Sequence, residues 1–240
     1  LLDNNRLVTE KTNTGYQQDF RDIAMALYED MDFDAWAELH KKLVFWDLEI
    51  ENTTNQSMKE VWESQKKEAE QTYAKDIKRE YSNWLHGSED APMLSPEIMK
   101  KKVFPLVEKS DVLVFFILID NLRFDQWKIL QGEIEQLFKI VEESCYSSIL
   151  PTTTEYARNA IFSGLMPADI KKKFPKYWID VGEDEGRNMY EEQLLREQIK
   201  RERLDITVSY NKIIKNYQGK ELNDQLNNLW NNDLNCIVYN

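Results

Sequence analysis

The feature that most limits the possible folds is a run of eight apolar residues, from Val112 to Ile119, directly before Asp120. Its length is that of a strand, and the lack of polar alternation is typical of a strand buried on both faces of a parallel sheet. A helical pattern follows as far as Val141, and residues 146–150, 206–210 and 236–239 resemble further short strands. This strand–helix–strand order predicts a mainly parallel sheet with helices on both faces.

The first 95 residues have a different sequence pattern, in which apolar residues recur every three or four positions. One stripe runs from Trp36 to Ile50, and a possible capping box, Ser57–Glu60, opens a long helix that should end near His86 and Gly87. The aromatic residues of these helices could form a binding surface, but their helical spacing favours a three-helix bundle core. Turn residues at 87–96 mark a boundary. We therefore predict an α+β, multi-part chain with a helical bundle at 1–95 and an α/β domain at 96–240.

Composition narrows the function. The net charge is −12, and an acidic surface repels both duplex DNA and anionic lipid, so we expect neither as a partner. Only two cysteines, Cys145 and Cys236, are present, which favours a reducing compartment and therefore the cytoplasm. No apolar run reaches about 18 residues, the minimum for a membrane span. The chain starts with Leu and ends on a predicted strand, so we expect a piece of a longer protein.

Two polar side chains stand where an open parallel sheet places its ligand site, outside the carboxyl ends of the strands. Asp120 follows the first strand, and Thr154 follows the predicted strand at 146–150 and opens a helix that Gly164 should close. Helix N-termini favour phosphate, and a metal can activate a hydroxyl for attack on phosphorus. Each residue could instead be a simple helix cap. Because both lie at strand ends, we favour a shared site.

The order of the short motifs resembles a known superfamily. An apolar strand precedes Asp120-Asn-Leu-Arg, then come Pro151-Thr-Thr-Thr154 and Gly164-Leu-Met-Pro167. Nucleotide phosphodiesterases of the alkaline phosphatase superfamily carry a similar series. The PglZ domain is closer still, above all in response regulators of the PorX type, in which a receiver domain and a helical bundle precede PglZ. Residues 2–8 and 16–20 resemble the segment that follows that receiver domain. The resemblance implies Thr154 as the catalytic nucleophile, and Asp120 with Thr154 as ligands of a two-zinc site.

The sequence departs from the phosphodiesterase pattern at two positions. Asn121 stands where those enzymes have Gly, and Ala157 replaces the Asn that helps to bind phosphate, so Asn121, Arg158 and Asn159 are candidate substrate-binding residues. By default, however, Arg158 is an ordinary surface arginine. The superfamily supplies its other metal ligands as downstream Asp and His residues. No His follows His86, so we expect those ligands beyond residue 240 and an inactive fragment.

The resemblance implies a metal-dependent phosphodiesterase output domain that acts on small nucleotides or oligonucleotides in a response regulator linked to type IX secretion. A sensor histidine kinase would act on a receiver domain that precedes these residues. A homodimer and a sigma factor are candidate partners. The alternative is a non-catalytic module that signals by phosphorylation-dependent dimerisation or by binding a transcription factor.

Overall fold

The computed structural model of the chain describes residues 15–51, 53–109, 113–179 and 188–240. These residues pack into two compact units. The first contains residues up to Pro92 together with Arg123–Cys145, and the second contains Met93–Leu122 and Tyr146–Asn240. The predicted division at residue 95 thus lies close to the first change of unit, but it does not account for Arg123–Cys145. As a statement of domain organisation it stays a prediction.

The N-terminal part of the first unit forms three helices, as predicted: α1 at 15–26, α2 at Phe33–Glu51 and α3 at Gln56–Leu85. The aromatic and aliphatic stripe of α2 is buried, and the bundle core therefore uses the aromatic residues that could also have formed a binding surface. Its buried members are Tyr16, Ile23, Leu27, Trp36, Leu39, Leu43, Trp46, Ile50, Trp62 and Ala69. The part of the predicted resemblance at residues 2–8 lies outside the described residues.

The first turn of α3 is capped differently from the prediction. The side chain of Asn55, and not that of Ser57, accepts the N–H of Met58 at 3.1 Å, because α3 already begins at Gln56. Similarly, Asp32 accepts the N–H of Ala35 at 2.8 Å. The predicted capping box at Ser57–Glu60 is therefore wrong. The end of α3 is confirmed, since Gly87 follows with φ 75°.

The helix predicted to cross over the sheet belongs to the first unit. It is α5, Phe124–Glu135, shorter than the apolar pattern that continues to Val141. Its Lys128 pairs with Glu143 at 2.8 Å, and Glu143 also lies 3.9 Å from Lys41 of α2. An amphipathic pattern cannot show which apolar surface a helix covers. The structure therefore corrects the expectation that this helix packs on the sheet.

The second unit holds a three-stranded, all-parallel sheet, which confirms the predicted sheet type. Its strands are β1 at Val114–Ile119, β2 at Val208–Ile213 and β3 at Leu234–Tyr239, in the spatial order β1-β3-β2. Ile119, Ile213 and Tyr239 stand in one register. All three carboxyl ends therefore meet at one edge of the sheet, and this edge positions the candidate site.

Two predictions about strands were wrong. Residues 146–150 form no strand; within the described chain they contribute one parallel bridge, between Ser147 and Leu94. Strand β1 is not buried on both faces, since Phe115, Ile117 and Ile119 are 41%, 59% and 47% exposed. Its other face packs on the core through residues such as Phe116. The start of the predicted strand, Val112, lies outside the described residues.

The remaining helices of this unit lie on both faces of the sheet, since Asn235 of β3, which alternates with the core residues Leu234 and Cys236, donates to the carbonyl of Leu229. They are α4 at Phe104–Lys109, α6 at Thr154–Ser163, α7 at Pro167–Lys173, α8 at Glu191–Glu202, α9 at Asn216–Asp224 and α10 at Leu226–Leu229. Helix α6 is closed by Gly164 at φ 61°, as its sequence predicted. Phe162 of α6 and Leu194 of α8 are fully buried in the core. No helix in the described part of the chain is long and apolar enough to span a membrane.

Candidate active site

Asp120 lies at the carboxyl edge of the parallel sheet. Its backbone N–H donates to the carbonyl of Tyr239 at 2.8 Å, which continues the pairing of β1 with β3 by one residue. On the other side of β3, the N–H of Asn240 donates to Ile213 at 2.9 Å. The side chains of Asp120 and Asn240 therefore belong to adjacent strand ends. This is the position at which open α/β sheets bind their ligands.

Thr154 is the first residue of α6, and its hydroxyl is placed beside Asp120. The distance from Thr154 Oγ1 to Asp120 Oδ2 is 3.5 Å, so the structure brings the two predicted residues together. Thr153, at the N-cap, makes no side-chain bond to the first turn. The α6 N-terminus thus joins a hydroxyl to the positive end of a helix dipole, a combination that suits a phosphoryl group.

Arg158, one turn further along α6, is buried and not a surface residue as its default interpretation held. Its Nη1 donates to Asp120 Oδ2 at 2.8 Å and to Asn240 Oδ1 at 2.7 Å. Its Nε and Nη2 donate to the two carboxylate oxygens of Glu191, each at 2.7 Å. The reason is geometric: one turn of helix places Arg158 directly behind Thr154, facing the strand ends.

Glu191, at the start of α8, is the buried counter-charge of this arrangement. Besides Arg158, it accepts the hydroxyl of Tyr210 at 2.6 Å and lies 3.1 Å from Lys212 Nζ, both on β2. Burial, followed by the charge and hydrogen bond of Glu191, raises the pKa of Tyr210, so its hydroxyl remains a donor. Burial lowers the pKa of Arg158, but the bonds and charges of Glu191 and Asp120 outweigh it and raise that pKa.

The other two predicted substrate residues have different surroundings. Asn121 is exposed and adopts a left-handed backbone with φ 61°, a conformation that asparagine tolerates better than most residues. Asn159 is buried, and its amide Nδ2 donates to the carbonyl of Glu155 in its own helix at 2.8 Å. For Asn121, Arg158 and Asn159, contact with a substrate stays a prediction, as do the roles of Asp120 and Thr154.

The resemblance to the alkaline phosphatase superfamily implies a metal, so the oxygen ligands that Asp120 and Thr154 offer can be compared with the ligands that zinc requires. The site offers one carboxylate and one hydroxyl, whereas a zinc site uses about three or four protein ligands. In the described residues no group of three or more His, Cys, Asp and Glu side chains could hold an ion. A guanidinium N–H also occupies Asp120 Oδ2. These residues alone therefore do not fit a zinc site.

Three residues of the site had no signal in the sequence. Glu191, Tyr210 and Asn240 are separated from Arg158 by 33 to 82 positions, and only the fold brings them to the same edge. The bond between Glu191 and Tyr210 is also not local.

The parallel sheet and its flanking helices make the second unit an α/β domain, with a carboxylate at a strand end beside a threonine at a helix N-terminus. The chain belongs to the PglZ family: residues 98–240 match the family described as the BREX system PglZ alkaline phosphatase-like domain. Residues 6–85 match the PorX response regulator linker domain. Together the matches indicate the output region of a phosphoesterase-type response regulator. A comparison with curated proteins finds no match.

Proposed function

We propose that this chain supplies the nucleophile of a phosphodiesterase that cleaves small nucleotides or short oligonucleotides. The observation that carries the proposal is the 3.5 Å approach of Thr154 Oγ1 to Asp120 Oδ2 at the N-terminus of α6. Membership of the PglZ family supports phosphoester chemistry. The helix N-terminus favours the negative phosphoryl group, and the nearby carboxylate accepts the hydroxyl hydrogen.

The reaction consists of two displacements. Thr154 Oγ bonds to phosphorus, the bond from phosphorus to the leaving oxygen breaks, and that oxygen takes a proton. Phosphorus keeps its second ester group, so the intermediate is a phosphodiester of Thr154. Water then attacks this phosphorus, the bond from phosphorus to Thr154 Oγ breaks, Oγ takes a proton from that water, and a phosphomonoester is released. The covalent intermediate divides one difficult substitution into two easier ones.

Zinc dependence is part of the proposal. Asp120 and Thr154 are the contribution of the described residues to the coordination of zinc, and the remaining ligands come from outside those residues. We also propose a cytoplasmic response regulator that takes its signal from a sensor histidine kinase through a receiver domain. Type IX secretion is the proposed process, with a homodimer and a sigma factor as partners. The PorX-type linker at residues 6–85 supports this setting.

The test is hydrolysis of a chromogenic phosphodiester by the intact protein with added zinc. Thr154→Ala and Asp120→Asn should each reduce kcat by at least about 1,000-fold, because each removes a group that acts on the reacting phosphorus. The matched control is Thr153→Ala, since Thr153 is the adjacent hydroxyl and makes no capping bond to α6. It should retain wild-type kcat.

Two results would overturn the proposal. Full activity in Thr154→Ala would remove the assigned nucleophile. An inert wild-type protein at every zinc concentration would favour the second candidate, a module that acts by binding or by phosphorylation-dependent dimerisation.

A further inference from the structure

The carboxylate of Glu191 is held by donors from two elements, helix α6 and strand β2. Its side chain is 0% exposed, and it receives two N–H groups of Arg158, the hydroxyl of Tyr210 and the ammonium of Lys212. A buried carboxylate is costly unless it is paired and hydrogen-bonded, and here it is both. Because every partner is fixed in the core or on a strand, Glu191 can hold the guanidinium of Arg158 in one orientation.

The other end of the same guanidinium reaches the site. Arg158 Nη1 bridges Asp120 Oδ2 and Asn240 Oδ1, at 2.8 and 2.7 Å, and thus connects the ends of β1 and β3. A planar guanidinium with its opposite side locked on Glu191 has little freedom to move Asp120. Asp120 Oδ2 is also the acceptor of Thr154. One rigid group therefore sets the position of the carboxylate against the hydroxyl.

Stability alone does not account for this arrangement. A buried ion pair loses about as much in desolvation as it gains in attraction, so an apolar pair of similar volume would serve the core equally well. An apolar pair could not bridge Asp120 and Asn240 at the strand ends. A role in positioning explains both the burial of the charges and their place directly behind Thr154.

We propose that Arg158 and Glu191 are positioning residues for Asp120: Glu191 orients Arg158, and Arg158 fixes the carboxylate beside the Thr154 hydroxyl. Arg158 then acts through Asp120. The proposal rests on the proposed function for its effect on turnover, but not for its effect on Asp120 itself.

The variants are Arg158→Lys and Glu191→Gln in the intact protein, with Tyr210→Phe as a milder variant that removes one donor to Glu191. The matched controls lie on the exposed side of α8, where Arg196 and Glu192 form a pair at 2.8 Å. Arg196→Lys and Glu192→Gln repeat the same chemical changes in an exposed pair on α8, away from Asp120.

Two quantities are measured. The first is the pair of kinetic constants kcat and KM for the phosphodiester. The second is the rate of amide hydrogen exchange at Asp120, whose N–H donates to the carbonyl of Tyr239 at 2.8 Å. Arg158→Lys and Glu191→Gln should lower kcat about 100-fold with KM nearly unchanged, as expected when a reacting group is misplaced. Exchange at Asp120 should rise about tenfold, the effect of losing one charged hydrogen bond, while exchange at mid-strand Phe116 stays constant. Tyr210→Phe should change both quantities in the same directions, but less.

The two readouts separate the possible failures. Unchanged kcat in an active enzyme, or exchange that rises equally at Asp120 and Phe116, would reduce Arg158 and Glu191 to structural residues and overturn the inference. If the wild type is inert, the proposed function fails; exchange confined to Asp120 would still support positioning, and its absence would reject that too. Effects in the controls equal to those in the variants would also contradict the inference.

Discussion

The first unit, called the helical unit here, and the second, called the α/β unit, both contain carboxylates that accept hydrogen bonds from buried side chains. The donors of these bonds differ between the two units. In the helical unit, uncharged indole N–H groups reach carboxylates that remain partly in water. The pairs are Trp36 with Asp76 at 3.0 Å, Trp46 with Asp19 at 3.0 Å, and Trp62 with Asp47 at 2.7 Å. In the α/β unit, both members of the pair between Arg158 and Glu191 are charged and buried.

This difference indicates how well each unit tolerates a substitution that removes one partner of such a pair. An indole that donates to a half-hydrated carboxylate can be lost without leaving a charge in an apolar medium, because water reaches the carboxylate. A buried charge that loses its partner has no such substitute. The α/β unit has therefore concentrated its most vulnerable interaction directly behind the candidate site, whereas the helical unit distributes weaker ones along its helices.

The sharpest test of this contrast is Arg158→Met, which leaves Glu191 buried with only Tyr210 and Lys212. We expect a loss of about 3 kcal/mol in the free energy of unfolding, as for other buried pairs that are broken on one side. Urea denaturation followed by circular dichroism measures it. Arg196→Met, the surface control, should cost less than about 1 kcal/mol. Equal losses in the two variants would remove the distinction.

The second test is Trp62→Phe in the helical unit. Trp62 is 1% exposed, and the change removes both its bond to Asp47 and part of its volume. The expected loss is about 2 kcal/mol. Protection from hydrogen exchange should fall in α2 and α3 but not in the sheet. Trp230→Phe, at a side chain that is 69% exposed, is the control and should change stability little. A loss of protection throughout the sheet would contradict the expectation that the change destabilises the helical unit alone.

The third test uses pH. Burial raises the pKa of the Cys236 thiol on β3 to about 12, so the folded state keeps the proton that the unfolded chain releases near pH 8.5. The stability from this group is therefore complete below about pH 8.5 and declines as pH rises towards 12, by about 1.4 kcal/mol per unit. Urea denaturation at pH 8 and pH 10 should show a smaller decline for Cys236→Ala than for wild type. Cys145→Ala, in the helical unit, provides the comparison, and an equal decline in both variants would refute the assignment to Cys236.

The smallest expected effects come from two glycines, and they differ in sign. Gly164 has φ 61°, and a Cβ there would lie 2.8 Å from Cδ of Gln198, so Gly164→Ala should cost at least about 1 kcal/mol. Gly132, inside α5, would meet nothing within 4 Å. Gly132→Ala should stabilise the protein by about 0.7 kcal/mol through helix propensity. Thermal denaturation of both variants measures the change in melting temperature. Changes of the same sign would contradict the view that local backbone conformation determines the effect at these two positions.

Sequence patterns were sufficient where the structure is local. The β1 run, helix α6 and its closure at Gly164 depend on neighbouring residues, and all were predicted. The meeting of Asp120 and Thr154 was also predicted, although for a partly wrong reason, since β1 pairs with β3 and not with residues 146–150. Only Asp120 follows a strand, and Thr154 reaches the same edge as the first residue of α6.

The remainder could not be predicted because it depends on long-range packing. The stripe of α5 is equally compatible with a sheet and with α2, so its true position was missed. Glu191 and Asn240 reach Arg158 across 33 and 82 residues, and nothing near them in the chain signals the contact. Burial of Arg158 follows from those contacts, and its default interpretation as a surface residue failed for the same reason.

The parallel register of β1 and β3 also has a consequence for the order of events during synthesis. Val114 pairs with Leu234, which the ribosome adds 120 residues later. At bacterial or eukaryotic elongation rates this interval lasts roughly 10 s, long enough for the helical segments, complete by Cys145, to fold first. During that interval Asp120 has no strand beside it. The site therefore forms late in translation. A chain arrested before residue 234 would carry a folded bundle and a strand β1 without its partner β3.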